Sequence, residues 1–171
     1  MKNKLSPYLA HEGRLADIIA AIQVMGTYPK FASREPQKWE DKLDKPTSAA
    51  SWAEICNEHP EFFRLRESNG SDRRWASLRW RWALDEDYDP DEGRSLSQDE
   101  INRLTDQQRR KLTRAPLESS QIETLIDAAI SLHTRAIEYE RQKQWWVPVV
   151  IPAVTALIGA GLGFVGAWLG K

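Results

Sequence analysis

Cysteine is almost absent from this chain of 171 residues: Cys56 stands alone. A lone thiol closes no intrachain disulfide, so nothing here requires an oxidising compartment. Histidine is nearly as scarce. His11, His59 and His133 lie far apart, and none has a neighbour at metal-ligand spacing. The chain also lacks a glycine-rich phosphate loop, a nucleophile elbow and an Arg-x4–6-His pair of the ribonuclease type. These absences predict a non-enzymatic chain without cofactor or metal, in which Cys56 is a small buried hydrophobe. An excess of one charge sign is lacking too. The 24 Lys and Arg face 25 Asp and Glu, for a net charge of −1. A duplex-binding protein would normally announce itself by a basic balance. The first eight residues are short and polar, so no signal peptide is expected there.

The most informative absence is local. Residues 145–170 contain no charged side chain. As a helix, residues 147–169 would rise roughly 34 Å, against a hydrocarbon core of about 30 Å. Trp145 and Trp146 at one end and Trp168 at the other suit the headgroup layer. The mean hydropathy of −0.59 averages this run with a polar remainder. All the acidic residues and all but one of the Lys and Arg precede the run, which leaves that remainder slightly acidic. Arg135, Arg141 and Lys143 precede the run and only Lys171 follows it, so the positive-inside rule predicts a cytoplasmic N-terminal part. The expectation is a single-pass, tail-anchored protein of a bacterial-type inner membrane, with the lipid bilayer as its first partner. Within the run, Pro152, Ala156, Gly159, Gly163, Gly166 and Gly170 recur at spacings of four and three. That seam of small residues predicts close helix–helix approach and a homo-oligomer. The bland alternative is a monomeric span that merely tolerates its glycines.

Residues 14–25 carry Leu15, Ile18, Ile19, Ile22 and Met25 at helical spacing, ended by Gly26. A short helix is expected near residues 37–43. Ser51-x-x-Glu54 is a capping box that opens a helix to about Glu58. The period then changes to two. Phe63 and Leu65 alternate with Arg64 and Arg66, Asn69-Gly70 marks a turn, and Ala76, Leu78, Trp80, Trp82 and Leu84 would return on one face. Residues 62–84 thus read as a two-stranded hairpin. Residues 85–96 read as an acidic loop. Ser97-x-x-Glu100 opens a helix to about Thr113, and Ser120-x-x-Glu123 opens another. Its residues Ile122, Leu125, Ala129, Leu132, Ala136 and Tyr139 form a heptad-like seam. Residues 97–144 would be a helical hairpin or stalk, leading into the apolar run. The fold class expected is α+β, mostly helical, with a membrane helix after the long helix.

The order helix, helix, helix, hairpin over residues 14–84 resembles a winged-helix domain. Trp52-x-x-Ile55 and Pro60-x-Phe62-Phe63 mark the junction of helix and hairpin. The resemblance implies a recognition helix presenting Ser48, Ser51, Glu54, Asn57 and Glu58, and a wing bearing Arg64, Arg66, Arg73, Arg74, Arg79 and Arg81. Two carboxylates and no cation on that helix suit phosphates poorly. The arginine face suits an anionic ligand better. A solvated outer face paired with the acidic loop, a nucleic-acid contact and a protein partner are the three readings open for it. Trp80 and Trp82 read as core, whereas Trp75 falls on the arginine face, where it could stack on a base or a guanidinium. Asp87-x-Asp89-x-Asp91 starts like a calcium loop, but Glu92 and Gln98 occupy its sixth and twelfth positions, so the match fails.

Three functions follow as expectations. The first is a membrane-anchored, self-associating adaptor or sensor whose cytoplasmic domain binds a protein or an anionic ligand. The second is an effector of the toxin or phage-defence type that disrupts the bilayer. The third is a membrane-tethered DNA-binding regulator.

Overall fold

A computed structural model of the chain describes residues 5–39, 42–67 and 74–143. The chain divides into two compact units, Met1–His133 and Thr134–Lys171. The first is α+β, with short helices around two small antiparallel sheets.

Helix α1, Arg14–Thr27, forms as its periodicity predicts. Ile18, Ala21, Ile22 and Met25 line one face and are fully buried. Gly13 precedes it at φ 81, a left-handed conformation that disfavours side chains. Gly26 does not end the helix as expected. Its missing side chain makes room for Ile122, whose Cγ1 would lie 3.0 Å from an added Cβ. Of the helix expected near residues 37–43, the described residues form a 3-10 turn, Pro36–Trp39, which seats Trp39 in the core; residues 40 and 41 lie outside them. Helix α2, Trp52–Glu58, begins where its cap predicts: the Ser51 side chain accepts from the Glu54 amide. The Glu54 carboxylate closes the box one residue early, on the Ala50 amide at 3.0 Å.

Strands β1, Phe63–Glu67, and β2, Arg74–Leu78, pair antiparallel from Phe63 opposite Leu78 to Glu67 opposite Arg74. Phe63, Ala76 and Leu78 are buried in the core with Phe31, Trp39, Trp52 and Ile55. Arg34 adds one bridge to Ala76. The return strand is shorter than expected. After Leu78 the chain coils into helix α3, Arg79–Ala83, so Trp80, Trp82 and Leu84 do not extend the sheet face.

The stretch expected as an acidic loop is instead a hairpin. Strand β3, Asp87–Asp89, pairs with β4, Arg94–Ser95. Gly93 turns the connection at φ 72, while the Asp89 carboxylate accepts the amides of Asp91 and Glu92. Its charges are mostly spent locally. Arg94 meets Glu92 and Glu100 at 2.8 Å each, Lys111 meets Asp91 at 3.4 Å, and Arg114 meets Asp85 at 2.5 Å and Asp87 at 3.2 Å. The helix expected to run to Thr113 is broken in two: α4, Gln98–Arg103, and α5, Asp106–Arg109. A second capping box, Thr105 with Gln108, stops the first helix and starts the next. Strand β5, Thr113–Arg114, then joins the other edge of β3.

Helix α6, Ser119–Lys143, crosses the boundary between the two units. Ser120 lies inside it and is not its cap. The Gln121 side chain closes its first turn instead, accepting the Glu118 amide at 2.9 Å. Of the expected seam, Ala129 is fully buried, Ile122, Leu125 and Leu132 are half-buried, and Tyr139 is exposed. Among the described residues no helix is long and apolar enough to cross a membrane. The charge-free run, with Trp145, Trp146, Ala156, Gly159, Gly163, Gly166, Trp168 and Gly170, lies outside them.

The largest departure from the expected hairpin is Arg81, which is buried rather than displayed. Its Nε donates to the Ala115 carbonyl at 2.9 Å. Its Nη1 donates to those of Met25 and Tyr28 at 2.6 and 2.8 Å, and its Nη2 to those of Pro29 and Arg114 at 3.1 and 2.6 Å. All five donors of the guanidinium are thereby used. Burial pushes its pKa down to about 10, which leaves the cation intact at neutral pH. Arg81→Met should destabilise the fold by at least about 3 kcal/mol, since each orphaned carbonyl costs ~1–3 kcal/mol. Arg81→Lys, with three donors, should recover only part of that loss. Urea denaturation followed by circular dichroism checks both, and a wild-type midpoint for Arg81→Met would refute the anchoring role.

Candidate functional site

The antiparallel register sets Arg66 opposite Trp75 and Arg64 opposite Ser77. Alternation along each strand puts all four side chains on the hairpin face opposite Phe63, Ala76 and Leu78, where Ser77 is nonetheless buried at the cleft floor. Trp82 joins them because α3 coils. A straight strand would have sent it to the apolar face with Leu78, the side on which the sequence predicts it. The result is a cleft of about 370 Å³ lined by Ser33, Arg64, Arg66, Glu67, Trp75, Ser77 and Trp82. A second cleft of about 440 Å³ shares Ser33, Trp75 and Trp82 and adds Asp87, Arg110 and Arg114. The Arg64 guanidinium lies 6.0 Å and that of Arg114 5.2 Å from the Trp82 ring centre, at cation–π distance. Trp75 is 37 % exposed, unusual for an indole without a partner ring.

The charges around the two indoles differ in how they are used. Arg114 is held by Asp85 and Asp87, and Glu67 is faced by Arg74 at 3.7 Å. Among the described residues, Arg64, Arg66 and Arg110 have no carboxylate partner, and no hydrogen bond engages the hydroxyls of Ser33 and Ser77. The cleft therefore presents net positive charge beside aromatic faces, with hydroxyl donors between them. That combination is built to receive an anion carrying a flat or apolar body.

The six arginines expected to form one wing face separate into distinct groups. Arg64 and Arg66 line the cleft. Arg74 is exposed and paired with Glu67. Arg79 turns back to donate its Nε to the Pro60 carbonyl. Arg81 is a core anchor. Arg73, with Asn69 and Gly70, lies outside the described residues. The residues that the winged-helix resemblance would present to DNA are mostly engaged in the fold. Ser48 is buried, donating its hydroxyl and amide to Asp17 at 2.6 and 2.8 Å, while its carbonyl accepts from Arg14 at 2.7 Å. Ser51 caps α2, Glu54 holds the Ala50 amide, and Glu58 pairs with Arg14 at 2.6 Å. Of that set, Asn57 is exposed and makes no side-chain bond among the described residues. Trp82, Arg110, Arg114, Ser33 and Ser77 belong to the site but were not singled out as ligand contacts from the sequence. Ser77 was legible in principle, because it alternates in phase with Trp75.

A second polar cluster lies in the same unit. Tyr8 donates to Glu61 Oε1, which also meets His59 Nδ1 at 3.1 Å. His59 is fully buried, its Nε2 has no hydrogen-bond partner among the described residues, and its ring meets that of Tyr8 edge-on at 4.6 Å. Burial pushes the Tyr8 phenol far up, and its bond to Glu61 adds to this. Cys56 is buried in the core, and that burial pushes its thiol up to about 12, which removes thiolate chemistry near neutral pH. Among the described residues no group of three His, Cys, Asp or Glu could hold a metal ion.

Comparison with protein-family models, with curated proteins and with solved structures returns no match for this chain.

Burial by itself would raise the Glu61 carboxyl, but the bonds from His59 and Tyr8 outweigh it and hold the group below its usual value. A depressed carboxyl contributes stability that is complete above the ordinary glutamate pKa of about 4.3 and lost as pH falls through the folded value. Tyr8→Phe removes one of the two side-chain donors and lets the folded value rise. The acid-unfolding midpoint should then move to higher pH, read by circular dichroism from pH 7 to pH 2. An unmoved midpoint would show that the phenol does not hold the carboxylate.

Proposed function

We propose that the chain is a membrane-anchored, self-associating, non-enzymatic adaptor or sensor whose extramembrane domain takes an anionic ligand in the cleft between Trp75, Trp82, Arg64 and Arg66. The observation that carries the reading is that Arg64 and Arg66, with no carboxylate partner among the described residues, line a cleft with two half-exposed indoles, while Arg114 beside them is held by Asp85 and Asp87. The charge-free residues 145–170 supply the anchor as a transmembrane helix, with Trp145, Trp146 and Trp168 at the lipid headgroups and residues 1–144 in the cytoplasm of an inner-membrane protein. The small-residue seam Ala156, Gly159, Gly163, Gly166 and Gly170 supplies the homo-oligomer.

We read the extramembrane domain as winged-helix-like, a reading supported by the order α1, α2 and β1–β2 hairpin, with two 3-10 turns, Pro29–Phe31 and Pro36–Trp39, where the second helix would stand. The tethered DNA regulator is the weaker reading. A duplex needs a row of free cations, and Arg79 and Arg81 are spent on backbone carbonyls while Glu58 and Ser48 are spent on Arg14 and Asp17. The bilayer-disrupting effector shares the anchor and the seam with the favoured reading. Thr155 as the one polar side chain of residues 147–169 fits lipid contact better than a water-filled pore.

Two measurements on the full chain test the anchor and the assembly. Ile158→Lys with Leu162→Lys should move the protein from the alkali-resistant membrane pellet to the supernatant, because each such charge costs about 2.5–3.5 kcal/mol at the centre of a span. Retention in the pellet would remove the anchor. Gly159→Ile with Gly163→Ile should lower the oligomer mass in detergent by light scattering, and an unchanged mass would remove the seam.

A further inference from the structure

We propose that the ligand of the Trp75–Trp82 cleft is a nucleoside phosphate, its base against the indoles and its phosphate on Arg64 and Arg66; this rests on the anionic-ligand reading of the cleft. Four observations narrow the anion to that class. The aromatic surface is flat indole, from Trp75 and Trp82. Nucleobases stack on such faces whatever their sequence. The free cations are guanidiniums, whose planar forks match phosphate oxygens two at a time. Arg64 and Arg66 are two apart on β1, so both forks rise from one side of one strand toward the same cleft. The hydroxyls of Ser33 and Ser77 supply unengaged donors and acceptors for base edges or ribose.

The size agrees. Clefts of about 370 and 440 Å³ lie within the ~300–1,000 Å³ range of small-molecule sites. Their shared lining of Ser33, Trp75 and Trp82 places the aromatic contact in the middle. Arg110 in the second cleft is a further cation that no carboxylate faces among the described residues, available to a second phosphate. The acidic side chains of the lining do not oppose this. Glu67 is met by Arg74, and Asp87 by Arg114. An acidic peptide would use the same guanidiniums but would leave the exposed Trp75 without a flat partner.

A free nucleotide and the phosphorylated end of a single strand present the same chemistry. The test separates them, using the full chain in neutral detergent and isothermal titration calorimetry. The probes are AMP, GMP, CMP and UMP, a 5′-phosphorylated oligothymidylate, adenosine, inorganic phosphate and a polyglutamate peptide. At least one mononucleotide or the oligonucleotide should bind, and tenfold or more tighter than adenosine or phosphate alone. Saturation by a mononucleotide identifies a free nucleotide; binding by the oligonucleotide alone identifies a strand end. Trp75→Ala should weaken that binding about tenfold or more and Trp75→Phe less, as expected of stacking. Arg64→Gln with Arg66→Gln should abolish the gain over adenosine and flatten the salt dependence. Circular dichroism must show each variant folded. No binding by any nucleotide or by the oligonucleotide below ~1 mM would overturn the proposal. If polyglutamate then binds and the Arg64/Arg66 variant loses it, the anionic-ligand reading stands and only the ligand class is wrong. If nothing anionic binds, both fall. Binding unaffected by Trp75→Ala and by the arginine variant would also overturn it, by placing the ligand elsewhere.

Discussion

Arg81 joins pieces of backbone that no strand ladder connects. Its guanidinium takes the carbonyl of Met25 inside α1, those of Tyr28 and Pro29 just after it, and those of Arg114 and Ala115 at the end of β5. In a unit whose larger sheet has three strands of two or three residues, few backbone ladders could hold these segments in register. A buried cation with every donor satisfied does so at one point. The cleft inherits its geometry from this bond set. Trp82 follows Arg81 directly, and Arg114 lends Arg81 its carbonyl while its own guanidinium lies over the Trp82 ring. The indole thus follows Arg81 in the chain and lies under a guanidinium whose backbone Arg81 holds.

The distribution of ion pairs decides what remains available to a ligand. Ten of the polar contacts that hold the unit together consume charges that a sequence reading counts as surface: Asp17 on Thr47 and Ser48, Arg14 on Glu58 and Ser48, and Arg114 on Asp85 and Asp87 among them. The net charge of the chain is near zero, yet the local charge of the cleft is not, because its neighbours are already neutralised. The exposed pairs among them add little stability each, unlike the buried bonds of Arg14 and Asp17, and their larger effect here is on where the potential is left uncompensated.

Much of the helical framework was legible because its signals are local. The apolar stripe of α1, the Ser51 cap of α2 and the Ser97 box of α4 each depend on residues within a turn or two. The β1–β2 pairing was legible from alternation around Asn69-Gly70. The departures have non-local or competing causes. Alternation from Ala76 to Leu84 fits a strand, yet α3 wins because coiling delivers Arg81 to five carbonyls contributed from residues 25–29 and 114–115. A period-two pattern cannot distinguish a solvated arginine from one that is caged. Thr105-x-x-Gln108 was a readable cap that an otherwise continuous polar helix pattern obscured. The acidic stretch 85–96 reads as a solvated loop until Gly93 and the Arg94 and Arg114 pairs fold it into a hairpin. Arg64, Arg66 and Trp75 were correctly placed on one face. Trp82 was read as core, and Arg114 was not singled out, because the place of both depends on that anchoring.

The same anchor bears on how a filled cleft would be felt elsewhere in the unit. Thr113 and Arg114 form a wall of the second cleft; Arg114 and Ala115 give their carbonyls to Arg81; Leu117 donates its amide to the Gly26 carbonyl at 2.9 Å; α6 then begins at Ser119. Ile122, one turn on, rests against the bare Cα of Gly26. Only a few residues separate the cleft wall from the seat of α6, and Ala115 and Leu117 among them are buried and bonded to other elements, so a displacement at Arg114 has little slack in which to dissipate before it reaches the helix. A disordered linker would have absorbed it. For a protein proposed to sense an anion and to answer at the membrane, the short connection from Arg114 into α6 is the path a response would take, held to α1 at one end by the Arg81 bonds and at the other by the Leu117 amide on Gly26 and by Ile122.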